Sequence, residues 1–273
     1  MFPSFLLSLR EGLEAALIIG IVLGAVRKFN RPDFSAAVWA GAGSAAIVSV
    51  VVALILQAIG ASLEEPAEQW FEGITMILAA GLLTWMIFWM QSHARFLKSE
   101  IEANVQRATK ETGKMPMFLV AFLAVVREGI ELAVFLTAVD LATGPGQTLT
   151  GALLGLASAA VLGWMLFSST SRLDLRRFFQ VTSFILILFA AGLLAHGVHE
   201  FNEVGVIPGI IEHVWDVNFI VDENSTLGLI LKSLFGYNGN PSLTEVLAYV
   251  GYFVTIWLAT RRNQPKVAQT TAV

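Results

Sequence analysis

Seven stretches of this chain are each long and apolar enough to cross a lipid bilayer as a helix, and little sequence is left between them. A hydrocarbon core of about 30 Å needs roughly 20 mostly apolar helical residues. The stretches cover about 2–26, 35–60, 70–92, 116–140, 148–170, 178–200 and 243–260. Hydrophobic residues make up 56% of the 273 and charged ones only 14%, well below the 25% or so of soluble domains. No separate soluble domain fits. The expected fold is an all-α polytopic membrane protein of seven transmembrane helices, a single membrane domain over 1–273. Met1-Phe2-Pro3-Ser4 lacks a basic n-region, and no small-residue cleavage site follows the first apolar run. That run reads as a retained helix and not as a signal peptide.

Basic residues set the expected orientation. Arg27, Lys28 and Arg31 follow the first helix, and Arg95, Lys98, Arg107, Lys110 and Lys114 lie between the third and fourth. Arg172, Arg176 and Arg177 follow the fifth, and Arg261, Arg262 and Lys266 follow the seventh. These are 14 of the 17 Lys and Arg residues, all on one side. The positive-inside rule makes that side cytoplasmic. The N-terminus is then outside, the C-terminal tail 261–273 is inside, and the protein sits in the cell inner membrane. The opposite loops are acidic, with Glu64, Glu65, Glu68, Glu203, Glu212, Asp216, Asp222 and Glu223. They read either as solvated loop surface or as a field that concentrates cations at the outer mouth.

The chain also repeats itself. Arg10-Glu11-Gly12-Leu13-Glu14 recurs as Arg127-Glu128-Gly129-Ile130-Glu131, Ser44-Ala45-Ala46 as Ser158-Ala159-Ala160, and Ala79-Ala80-Gly81-Leu82-Leu83 as Ala190-Ala191-Gly192-Leu193-Leu194. The matches keep their order. They predict a three-helix unit (about 1–92) repeated at about 116–200, then an outer loop at about 201–242 and a seventh helix. Three helices per unit is odd, so the copies must lie in opposite orientations. Inverted 3+3 repeats of this kind characterise secondary transporters, with the substrate held near the midplane between the copies.

Two arginines and four glutamates fall deep inside the first and fourth of these helices. Glu11 lies about 13 Å into the first helix at 1.5 Å per residue, and Glu128 lies similarly deep in the fourth. A charged side chain there costs on the order of 2.5–3.5 kcal/mol even on a lenient scale. Glutamates three apart share a helical face, and each arginine stands one turn before the second glutamate. Gly12 and Gly129 remove a side chain beside the acids, and the two charged helices are expected to approach closely there. An inverted twofold would bring Glu11, Glu14, Glu128 and Glu131 towards one point, with Arg10 and Arg127 in support. Fully ionised, the six carry a net charge of -2, suited to a multivalent cation. Cysteine is absent, which leaves oxygen or imidazole ligands and favours harder cations. The competing reading, ion pairs that only lock helix packing, leaves two glutamates unpartnered, and buried ion pairs stabilise poorly.

Arg-Glu-Gly-x-Glu in the first and fourth helices resembles the signature of the oxidase-dependent iron transporter family, which includes fungal high-affinity ferric permeases and Efe-type bacterial iron permeases. The likeness extends through Phe71-Glu72-Gly73, Thr84-Trp85-Met86, Phe235-Gly236-Tyr237 and Glu245. It implies that Glu11, Glu14, Glu128 and Glu131 are the metal-binding glutamates and that iron is the transported substrate, with no permanently bound cofactor. It further implies Fe3+ as the passing species, formed from Fe2+ by extracytoplasmic proteins that oxidise or deliver iron. The partners expected are these proteins, iron ions and the bilayer, and no nucleic acid.

Several further residues carry two readings each. Glu72 is a relay carboxylate on the route inward, or an acid at a helix N-terminus facing the positive end of the dipole. Glu245 stands three residues after Ser242, the spacing of a capping box. His196, His199 and Glu203 share a face at the outer end of the sixth helix, forming either an outer capture site for metal or a polar helix end. Trp39, Trp85, Trp89, Trp164 and Trp257 read as interfacial or packing aromatics, and Gly41, Gly43, Gly151, Gly155 and Gly163 as close helix contacts. Among functions, a permease for another multivalent cation such as Mn or Pb uses the same donors. An intramembrane di-iron oxidase would need Glu-x-x-His pairs, where this chain has Glu-x-x-Glu. No Walker loop is present.

Overall fold

A computed structural model describes residues 1–93, 96–110, 113–168, 175–223 and 225–262. Of the basic residues counted above, Arg95, Arg172 and Lys266 lie outside these, as does the tail from 263 onward. Among the described residues the chain forms nine α-helices: α1 (Phe2–Lys28), α2 (Ser35–Ser62), α3 (Ala67–His93), α4 (Leu97–Lys110), α5 (Met115–Thr143), α6 (Pro145–Ser168), α7 (Leu175–Glu203), α8 (Thr226–Phe235) and α9 (Leu243–Arg262). Only helices and closed barrels satisfy every backbone group in hydrocarbon. Five of the helices, α2, α3, α6, α7 and α9, are long and apolar enough to cross a membrane. The other two long helices, α1 and α5, run 27 and 29 residues, but each carries an arginine and two glutamates in mid-helix. The surface agrees with a lipid environment. Ile47, Val50, Leu54, Leu153, Trp164 and Phe184 are all exposed, more large apolar surface than water would favour.

The ends of the helices follow from local chemistry. Pro3 and Pro116 occupy the first turns of α1 and α5, where a missing N–H costs nothing. Arg27 and Lys28 sit in the last turn of α1, facing the negative end of its dipole. Ser242 and Glu245 form a reciprocal capping box: Ser242 N–H donates to Glu245 Oε1 at 3.1 Å, and Glu245 N–H to Ser242 Oγ at 3.3 Å. Ser225 Oγ accepts from Gly228 N–H at 3.0 Å to start α8, and Gly236 ends it in the left-handed conformation at φ 65°.

Two helices lie where the sequence was read as loop. α4 occupies the link between the third and fourth apolar stretches, and α8 lies inside the outer stretch 201–242. α4 is docked through Ile101, Val105 and Ala108. Lys28 Nζ meets Glu102 Oε2 at 2.8 Å, and Arg31 Nη1 donates to the Thr109 carbonyl at 3.2 Å. α8 returns the chain against α7, where a Cβ on Gly192 would lie 2.7 Å from the Gly236 Cα. That close approach explains the paired glycines.

α1 packs along α6, α2 along α5, α3 along α7, and α1 crosses α5. The pattern is unchanged when α1, α2 and α3 are exchanged for α5, α6 and α7. α9 leans on α7 and reaches α3, with Tyr252 OH and Thr84 Oγ1 2.8 Å apart. One apolar cluster joins Leu7, Met76, Leu83, Phe135, Val139, Leu186 and Phe189. A second joins Ile18, Val22, Val26, Val38, Met117 and Ala121 with the docked face of α4. The charged residues of α1 and α5 lie between the two clusters.

The glycines of the repeated motif do not serve the contact expected of them. A Cβ on Gly12 would stand 2.7 Å from Ala159 Cβ of α6, and one on Gly129 would strike Ser49 of α2. Each glycine is one residue, or about 100°, round the helix from its glutamate, so it admits the α6 or α2 neighbour and not the opposite charged helix. Gly43 faces open space, whereas Gly41, Gly151, Gly155 and Gly163 are tight helix contacts as expected.

Candidate functional site

α1 and α5 present their charged faces to each other in the buried middle of the bundle. Glu11, Glu128 and Glu131 each place one carboxylate oxygen so that all three lie within 4.8 Å of one another, and all three residues are buried. Oxygens held 2.0–2.6 Å from one cation lie at most about 4–5 Å apart, so little movement would let the three share an ion. Glu14 is buried beside them but stands outside this set. Three of the four expected carboxylates therefore converge.

The arginines counter part of the charge in different ways. Arg10 is fully buried, with Nη1 3.2 Å from Glu11 Oε1 and Nη2 3.2 Å from Glu14 Oε1. Arg10 Nη1 also donates to Met86 Sδ at 2.9 Å. Arg127 is 38% exposed, with Nε 3.0 Å from Glu131 Oε1 and 4.0 Å from Glu128 Oε1. Its guanidinium lies over the rings of Trp89 and Trp85, 4.5 and 5.7 Å from their centroids. Even so, Oε2 of Glu11, Glu128 and Glu131 is each buried without a hydrogen-bond partner. A buried acceptor left empty costs about 1–3 kcal/mol, more when charged. Three converging carboxylates that each keep an unpartnered oxygen are poor for stability and good for binding a cation.

A cavity of about 190 Å3 opens beside this cluster, with Glu14, Glu128 and Arg127 at one end and Glu100 and Asn104 of α4 at the other. Sequence reasoning gave Met86 no role beyond the family likeness and passed over Glu100 and Asn104. The signal for α4 was present, since Ile101, Val105 and Ala108 recur at i, i+4 and i+7 with polar residues between.

At the opposite end of α7 the second polar group assembles. His196 Nε2 is 3.6 Å from Glu200 Oε1, His199 Nε2 is 3.5 Å from Glu203 Oε1, and His199 Nδ1 is 3.0 Å from Glu245 Oε1. Asn238 donates to the other oxygen of Glu245 at 2.8 Å. Glu245 thus both caps α9 and ties it to α7. Glu72 of α3 lies within electrostatic reach of Glu68, Glu200 and Glu203. Histidines and acids do gather here, with Glu200 and Glu245 added to the expected set.

Known proteins supply the identity of the cargo. The chain matches the Iron permease FTR1 family over residues 1–261. The ferrous iron permease EfeU of Escherichia coli O6:K15:H31 (strain 536 / UPEC) is 33% identical over 264 residues, covering 95% of each chain. EfeU of Shigella sonnei (strain Ss046) is similar to the same extent. EfeU of Yersinia pestis is 32% identical over 257 residues, 93% of this chain and 91% of its own. No solved structure matches the chain. A match of this length, borne on helices of membrane-spanning length and apolarity, means that the chain belongs to the Iron permease FTR1 family, as a multi-pass membrane protein that transports iron across a membrane.

Proposed function

We propose that iron crosses through a midplane site in which Glu11, Glu128 and Glu131 hold the ion, Glu14 receives it next, and Arg10 and Arg127 keep the acids ionised and oriented. The observation that carries this reading is the three buried carboxylates that converge between α1 and α5, each with one oxygen that lacks a hydrogen-bond partner. In low dielectric they have strong reason to take a cation. Around the site, the long helices α1, α2, α3, α5, α6, α7 and α9 make seven spans in the cell inner membrane, with the N-terminus outside and the C-terminus cytoplasmic. The two three-helix units are inverted copies, a reading supported by the repeated motifs and by a packing pattern that survives their exchange.

On the outer side, His196, His199 and Glu203, with Glu72 as a relay, collect iron presented by partner proteins. The named relatives are ferrous iron permeases, so Fe2+ is the form delivered. Oxidation by a partner then supplies Fe3+, the species that hard, all-oxygen ligands prefer. A second reading, that Fe2+ itself passes, is favoured by those same names.

Uptake of iron by the purified protein in liposomes tests the whole reading, with Fe2+ kept reduced in one arm, Fe3+ in another and Mn2+ as competitor. Replacing Glu11, Glu128 or Glu131 singly with Gln keeps shape and removes charge, and the maximal rate should fall at least tenfold. Normal transport by two of these variants would end the midplane proposal. In the same assay His196→Ala with His199→Ala should raise the half-saturation constant several-fold at nearly constant maximal rate. A collapsed maximal rate would move the histidines onto the path itself.

A further inference from the structure

The cavity beside the carboxylates joins them to α4. Its inner end is formed by Glu14 of α1 and Glu128 of α5, and its outer end by Glu100 and Asn104 of α4. Leu17, Ile18, Trp89, Met90, Ile101 and Ala124 complete the wall. Glu128 is only 5% exposed and its Oε2 has no hydrogen-bond partner, whereas the buried Glu14 has its Oε1 3.2 Å from Arg10 Nη2. Glu100 and Asn104 are exposed and stand one helical turn apart, on one face of α4. In the other direction from the cluster, Leu7, Met76, Leu83 and Phe135 are fully buried and pack together, with Ser8, Thr75 and Thr137 also buried on the same turns of α1, α3 and α5. The site is therefore open towards α4 and closed towards the outer histidines.

We infer that this conformation is the inward-open state of the transporter, and that Glu100 with Asn104 forms an exit site for the cation on the cytoplasmic side. The inference rests on the midplane reading above and adds the route by which the ion leaves. A multivalent cation cannot step from three carboxylates into an apolar passage without replacement ligands, because an unsolvated charge in low dielectric is prohibitively costly. Glu14 offers the first oxygen beyond the trio, and the cavity offers room for several waters, each needing about 30 Å3 of liquid volume. At the mouth, the Glu100 carboxylate and the Asn104 side-chain carbonyl are hard oxygen donors already in solvent. A site there is hydrated and weak, as a release step requires. Apolar walls between the two ends give the ion nowhere else to stop.

Two measurements test this. The chain has no cysteine, so a single introduced thiol reports alone. Ala124→Cys, on the cavity wall, should react with a membrane-impermeant thiol reagent in inside-out vesicles and not in right-side-out ones. Added Fe2+ should slow that reaction. Protection by the reagent's exclusion from both sides would overturn the open passage. In the uptake assay, Glu100→Gln should lower the maximal rate about three- to tenfold, while Fe2+ bound per purified protein and its affinity stay within twofold of the parent. Glu100→Asp should recover most of the rate. Glu100 is exposed, so these variants leave the fold intact. Glu100→Gln at the full rate, with Glu11→Gln inactive, would sink the exit site and spare the midplane site. Glu11→Gln at the full rate would sink the midplane reading on which it rests.

Discussion

Arg10 and Arg127 hold the same place in the two copies of the motif yet meet different surroundings. Arg10 is sealed between Glu11, Glu14 and the Met86 sulfur, whereas Arg127 lies at the cavity wall against Trp89. Arg127 combines a position over the Trp89 ring with an Nε bond to Glu131, a pairing that a compact ammonium group copies poorly. Arg127→Lys should keep partial transport, and Arg127→Ala should keep almost none, each measured as initial iron uptake. Equal rates in the two would show that neither charge nor fork matters there. At this scale all four glutamates and both arginines were legible, because charge at membrane depth is too costly to be incidental. Which three carboxylates converge was not. Side chains that share a helical face still depend on how the opposing helix is rotated and offset.

Among the elements, the boundaries of the seven long helices agree closely with the apolar stretches, since bilayer thickness sets a length that composition displays directly. The Ser242–Glu245 cap was equally readable. α8 was missed because it is short, and α4 because its apolar stripe, though readable, is too polar overall to register as a span and finds its partner only in the folded bundle. The motif glycines were read correctly as contacts but assigned the wrong neighbour, α5 and α1 instead of α6 and α2. This has a measurable consequence. Gly12→Ala should destabilise the protein by about 1–3 kcal/mol, the usual cost of overpacking, through its clash with Ala159 Cβ. The exchange Gly12→Ala with Ala159→Gly should recover at least half of that loss in thermal unfolding in detergent. If the double variant is no more stable than the single one, the α1–α6 contact is not the cause.

For the whole molecule, orientation rests on the lopsided distribution of Lys and Arg. Single cysteines at Glu65 and Glu212 should react with an impermeant thiol reagent added to intact cells, and those at Glu102 and Lys114 should not. Labelling of Glu102 from outside would break the proposed seven spans and, with them, the inversion of the two units. The sequence by itself determined that the chain is helical, that it lives in a membrane, that it repeats and that two of its helices carry a charged motif at depth. All of these follow from residue type and spacing along one helix. The tertiary structure decided that Glu14 stands apart from the converging trio, that one arginine is sealed and the other half-exposed, and that a cavity joins the site to α4. Those outcomes depend on the rotation and offset of helices against one another, which the packing of the whole bundle sets and no single segment encodes.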